Sequence, residues 1–176
     1  MSRKALAAVL IVGTVALAVA YWGLRPTNVD DAPIDYTSVP LTKPYASDRF
    51  KFSLDMPENF FARELVADEL GAATILIESS DRADGIQILV SPFDEDVRAL
   101  TAERIQQDVS DLMITDSQTV EIGENYTGLA FKSDNEAFDG ASREVWFVFR
   151  GNLYQISTYD RLDSLLKKIF STWKFL

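Results

Sequence analysis

The chain of 176 residues has neither cysteine nor histidine. Without thiols there is no disulfide framework, no thiolate metal site and no lipid attachment through cysteine. Without imidazole there is no Ser-His or Cys-His nucleophile and no histidine-ligated metal. The eight glycines form no phosphate-cradling loop and no G-x-S-x-G elbow. Basic residues are scarce as well, with 17 Lys and Arg against 27 Asp and Glu. Three of those bases, Arg3, Lys4 and Arg25, lie ahead of residue 26 where no acid occurs, so the remainder carries 14 bases, 27 acids and a net charge of −13. A field of that sign repels phosphate, and no Lys/Arg cluster offsets it, so nucleic acid is excluded as a partner. The same field repels an anionic bilayer, which keeps the acidic part away from lipid headgroups.

What is present begins with a run of twenty uncharged residues, 5–24, ALAAVLIVGTVALAVAYWGL. At 1.5 Å per residue such a helix spans a hydrocarbon core of about 30 Å. Arg3 and Lys4 precede it, while Asp30, Asp31 and Asp35 come after it, so the positive-inside bias predicts a cytoplasmic N-terminus and an extracytoplasmic C-terminal domain. Tyr21 and Trp22 stand where an interfacial aromatic belt would sit. Ala18-Val19-Ala20 has the small-x-small form of a signal-peptidase site, and cleavage there would deliver the domain to the same side. The retained anchor is preferred, because the apolar run exceeds an ordinary h-region and cleavage would leave Tyr21 and Trp22 at a new terminus.

The expected organisation is an anchor over residues 1–25, an extended linker over 26–47 and a folded domain over 48–176. Four of the six prolines, Pro26, Pro33, Pro40 and Pro44, fall in the linker. At about 3.1 Å per residue it would hold the domain up to about 60 Å from the bilayer. From Phe50 onwards apolar runs alternate with turn residues. Strands are expected over 50–54, 73–77, 85–90, 118–122, 127–132, 143–149 and 153–158, the last two joined tightly at Arg150-Gly151-Asn152. Val145 to Phe149 is apolar on both faces, which marks a central strand covered on each side. One helix is expected to start at the N-cap Thr101 and carry Ile105, Val109, Leu112 and Met113 on one face. A second carries Leu162, Leu165, Leu166, Ile169, Phe170 and Trp173 at helical spacing. The fold class is therefore α+β, an antiparallel sheet flanked by helices.

Two stretches support a resemblance. The opening, Phe50-Lys51-Phe52-Ser53-Leu54-Asp55-Met56-Pro57-Glu58-Asn59-Phe60, resembles the start of PsbP-like domains. The ending, Asn152 to Tyr159 and then Leu165 and Ile169 to Phe175, is similar to their close. The resemblance covers about residues 45–176 and implies an α/β/α sandwich in a family of mostly non-catalytic binding or assembly factors. With the apolar segment in front, the arrangement resembles membrane-anchored bacterial relatives. It transfers no functional residue, because the basic contact surface and His-containing ion sites of the photosystem subunit have no counterpart here.

Carboxylates are the only plentiful acid-base groups. Asp94-Glu95-Asp96 comes after Pro92-Phe93, Asp81 and Asp84 share a hairpin loop, and Asp134, Glu136 and Asp139 precede Gly140. None has the EF-hand spacing, since counting from Asp134 places Phe138 and Val145 at ligand positions. Solvated loop charge accounts for all three clusters, and Asp94, Glu95 and Asp96 are retained only as weak metal candidates. Asn125-Tyr126-Thr127 matches a glycosylation acceptor but reads as a turn between strands. No catalytic residue and no cofactor is assigned. The expected function is non-enzymatic: a membrane-tethered extracytoplasmic domain that binds a protein partner or assists assembly of an envelope complex. The alternative is a divalent-cation or small-ligand module built on the acidic loop, and a carboxylate-dependent hydrolase stands third.

Overall fold

A computed structural model describes residues 35–66, 71–95, 100–124 and 126–176. The apolar segment, the first part of the Pro-rich stretch, Asp96 and Asn125 lie outside them. Strands β1 (Leu41–Ser47) and β2 (Phe52–Pro57) open the domain, and β3 (Phe60–Val66), β4 (Ala73–Ser79) and β5 (Gly85–Pro92) come next. Helix α1 (Ala102–Asp108) leads to β6 (Thr115–Ile122), β7 (Tyr126–Ser133), β8 (Ser142–Phe149) and β9 (Asn152–Tyr159). Helix α2 (Asp163–Thr172) and the short β10 (Lys174–Phe175) end the chain.

The strands form two sheets where the sequence suggested one. Seven antiparallel strands run in the order β3-β4-β5-β9-β8-β7-β6, and a small sheet runs β1-β2-β10. The small sheet and α2 pack on one face of the large sheet, around Ile75, Ile77, Ile88, Phe147, Tyr154 and Ile156. On the other face, Ile105 of α1 joins Leu129, Phe131 and Trp146. The central strand β8 is thus covered on both sides, with Val145, Phe147 and Phe149 facing α2 and Trp146 facing α1. Phe52 of the small sheet stacks on Trp173 at 4.3 Å, and Phe147 stacks on Tyr154 at 4.8 Å. Burial of each such ring stabilises the fold by about 1.5–3 kcal/mol.

The folded domain starts earlier than residue 48. Tyr36 is buried, its hydroxyl donating to Asp84 Oδ2 at 2.6 Å, and residues 41–47 form β1 instead of linker. Pro44 does not prevent the strand because β1 is the edge of the small sheet, where a missing N–H facing outward removes no ladder bond. Lys168 of α2 fastens this segment by donating to the carbonyls of Val39 and Thr37. The strand β3 is a further addition, since Arg63 and Glu64 interrupt an otherwise apolar alternation.

Helix α1 is shorter than the sequence suggests. Thr101 is its N-cap, accepting from Arg104 N at 3.2 Å, but it ends at Val109 and Met113 is exposed. The Gln106 side chain donates to the carbonyls of Ser110 and Leu112, fixing a non-helical exit. The β8–β9 connection is as tight as expected, with Arg150 and Gly151 both at positive φ, 47° and 72°.

The molecule has two distinct ends. The chain joins the domain at Tyr36, beside the β4–β5 loop at Asp84 and close to Arg161, which pairs with Asp84 at 2.8 Å. Register places the end of β7, the start of β8 and the end of β9 at this same end. The C-terminus lies at the other: Leu176 N donates to Lys51 O, and Arg150 donates to Leu176 O.

Candidate functional site: a groove beside α2

Helix α2 lies on the inner face of the large sheet and leaves a half-open groove along β6–β8. The groove has a volume of about 250 Å³. Its walls are Val120, Ala130, Val145, Leu166 and Phe170, with Arg143, Asp163 and Lys167 as its charged groups. Glu121 and Ser171 complete the lining with Gly123. Strand alternation sends the Glu121 side chain to the face opposite Val120, so Glu121 borders the groove through its backbone. Gly123 is required where it stands: its φ is +58°, and a Cβ there would come within 2.7 Å of the Trp173 carbonyl oxygen.

Arg143 supplies the unusual chemistry. It sits on β8 with its side chain only 5% exposed, and its Nε lies 3.0 Å from Asp163 Oδ1. That N–H is not aimed at the carboxylate, however, and Nε makes no hydrogen bond. Asp163 is shared, because Lys167 Nζ lies 2.6 Å from its other oxygen. Two cations therefore meet one anion at the mouth of an apolar groove, an arrangement suited to an anionic group with an apolar body.

On the opposite face of β8, Glu144 is completely buried. Its carboxylate accepts from Ser157 Oγ at 2.5 Å, Ser142 Oγ at 2.7 Å, Trp146 Nε1 at 3.3 Å and Asn135 Nδ2 at 3.4 Å. Burial pushes its pKa up, while the hydrogen bonds from Ser157, Ser142, Trp146 and Asn135 pull the other way. Gln87 lies in the same cross-strand row through Ser157, and its Oε1 has no hydrogen-bond partner. This polar strip orders the region where the loop at Asn135 closes over the sheet.

The acidic loops do not assemble. Glu95 is held by Arg104 at 2.7 and 2.8 Å, Asp96 lies outside the described residues, and no metal-binding group of three or more carboxylates occurs among the described residues. Asp84 is committed to Tyr36 and Arg161. Asp81 accepts from Ser79 Oγ and Ala83 N within its own loop. Asp134 accepts from Met113 N at 3.3 Å, and Asp139 adopts the left-handed conformation at the end of a short 3-10 turn. Sequence reasoning missed Arg143 and Glu144. The available signal was two adjacent opposite charges inside a strand otherwise apolar on both faces, which alternation must send into two different interiors.

The fold is PsbP-like. The solution structure of cyanobacterial PsbP (CyanoP) from Synechocystis sp. PCC 6803 aligns with a TM-score of 0.50 at 8% identity, covering 82% of this chain and 98% of that one. No protein-family model and no curated protein sequence matches the chain. No helix among the described residues is long and apolar enough to cross a membrane.

Proposed function

We propose that the chain is a non-enzymatic binding domain, tethered to a membrane through residues 5–24 and held outside the cytoplasm, whose far end engages a protein partner during assembly of an envelope complex. The observation that carries this reading is where the chain joins the domain. Tyr36 and the carbonyls of Thr37 and Val39 are fastened to Asp84 and Lys168 at one end of the sheet. Residues 26–35 then form the whole spacer, a reach of about 35 Å when fully extended. A tether that short turns the Asp84 end toward the bilayer and the C-terminal end away from it.

The far end has the character of a contact surface. Tyr126 is 40% exposed and Leu176 51% exposed. Tyr126 packs against Phe149 and Phe175, and Lys51 and Lys174 have no ion-pair partner among the described residues. Two free cations around exposed apolar groups, on a domain whose residues 36–176 carry a net charge of −10, favour an acidic protein surface as partner. The PsbP-like fold is compatible with this role, as a domain of the same architecture as CyanoP.

Placement is tested with single cysteines, which the native chain lacks. A Lys174→Cys variant in intact cells is expected to react with a membrane-impermeant maleimide and to remain in the membrane fraction after alkaline extraction. Protection from the reagent, or release of the chain, contradicts the tethered reading.

A further inference from the structure

We propose that the groove between α2 and β6–β8 is a binding site for a small organic monocarboxylate, with its carboxylate on Arg143 and its apolar body against Val145, Leu166 and Phe170. The site is separate from the partner surface proposed at the C-terminal end and does not depend on it.

Arg143 presents its guanidinium to the groove. A guanidinium carries five donors and stays charged at every relevant pH. Here it is 5% exposed and has one ion-pair contact, with Asp163, which it shares with Lys167. Nε is buried and has no hydrogen bond. A buried guanidinium donor without an acceptor is costly, and an anion brought onto the guanidinium from the groove offsets that cost. The open space next to it is the groove, which Arg143 itself lines. A carboxylate fits the planar fork of the guanidinium with two parallel hydrogen bonds, and Arg143 and Lys167 against Asp163 leave one positive charge unbalanced. The remaining walls are apolar, so an anion with a hydrophobic body gains from both parts. At about 250 Å³ the groove is smaller than the roughly 300–1,000 Å³ typical of sites for drug-sized ligands. It suits a short aliphatic or aromatic acid and not a peptide.

The test tracks methyl resonances of Ala130, Val145 and Leu166 in the full chain, embedded in lipid nanodiscs, during titration with benzoate. Saturable shifts confined to these methyls are expected. Benzyl alcohol, of similar shape but neutral, and acetate, which lacks the body, should each bind at least about tenfold more weakly. Lys167 is well exposed, so Lys167→Glu leaves the fold intact while reversing the groove's net charge, and it should weaken benzoate binding about tenfold. Arg143→Gln should abolish the shifts, and Lys167→Glu serves as the second variant if Arg143→Gln fails to fold. No saturable shift with benzoate in the wild-type chain, equal affinity for benzyl alcohol or acetate, or undiminished affinity in Lys167→Glu would each overturn the assignment and leave Arg143–Asp163 as a structural ion pair.

Discussion

Buried polar side chains in this domain each have a definite consequence, and Glu144 has the largest. Its burial raises the carboxyl pKa above the ordinary value of 4.5. In the window above that value the folded state therefore binds more protons than the unfolded chain, and stability falls as pH rises until the folded pKa is passed. Glu144→Gln removes the titration. The melting temperature of the variant relative to the wild type should rise as pH increases from about 4.5, as read by circular dichroism in parallel melts. A difference that is flat or falls with pH would show that the four hydrogen bonds outweigh burial. At the other end of the sheet, Tyr36→Phe removes the 2.6 Å bond to Asp84 and should cost about 1–3 kcal/mol, measurable by urea unfolding. Burial, with Asp84 close by, also raises the Tyr36 pKa, so the phenol stays a donor throughout the neutral range. Neither residue stood out in the sequence. Arg143 and Glu144 adjoin as opposite charges at the start of an apolar strand, and the pairing of β8 with β7 and β9 encloses both.

Elements were legible where a single periodicity governed them. The α2 stripe of Leu165, Leu166, Ile169 and Phe170 is buried as its spacing requires, and β8 and β9 meet at the turn that Arg150-Gly151 prescribes. The failures share a cause, which is that tertiary pairing overrode a local signal. Prolines suggested linker where β1 forms an outer edge, and the apolar spacing of Val109, Leu112 and Met113 suggested helix where the chain turns away after seven residues. The division into two sheets was invisible because β10, only two residues long, pairs with β2 across the whole sequence. That pairing places Trp173 on Phe52, and Trp173→Ala should destabilise the domain by about 3–5 kcal/mol. Gly123→Ala should also destabilise it, because its Cβ would meet the Trp173 carbonyl at 2.7 Å in a left-handed backbone. Thermal melts of the two variants check both expectations. A Gly123→Ala chain as stable as the wild type would mean that the β6–β7 turn moves freely away from β10.

For the whole molecule, the earlier domain start changes both folding and placement. A fragment beginning at residue 35 keeps Tyr36, β1 and the Lys168 contacts, and should unfold in one cooperative transition. A fragment beginning at residue 48 loses β1 and leaves β2, with Phe52 and Leu54 at its core, as a new edge. It should be soluble only in part and bind a hydrophobic dye. Equal stability of the two fragments would restore the Pro-rich linker to its longer form. The sequence conveyed the apolar segment, the acidity of residues 26–176 and the α+β class. It could not convey direction, because which end of a sheet receives the chain depends on long-range contacts such as Tyr36–Asp84 and Lys168–Val39.

Direction is the central claim, and photo-crosslinking in living cells tests it most directly. A photoreactive residue placed singly at Lys51 or Lys174 marks the far end, and one at Asp81 or Asp139 marks the end where the chain joins. The account predicts one defined protein adduct from the Lys51 and Lys174 positions, lost when Tyr126 and Leu176 are replaced by serine, and only lipid or background adducts from Asp81 and Asp139. A defined adduct formed from the Asp81 or Asp139 positions, or none from either end, would contradict it.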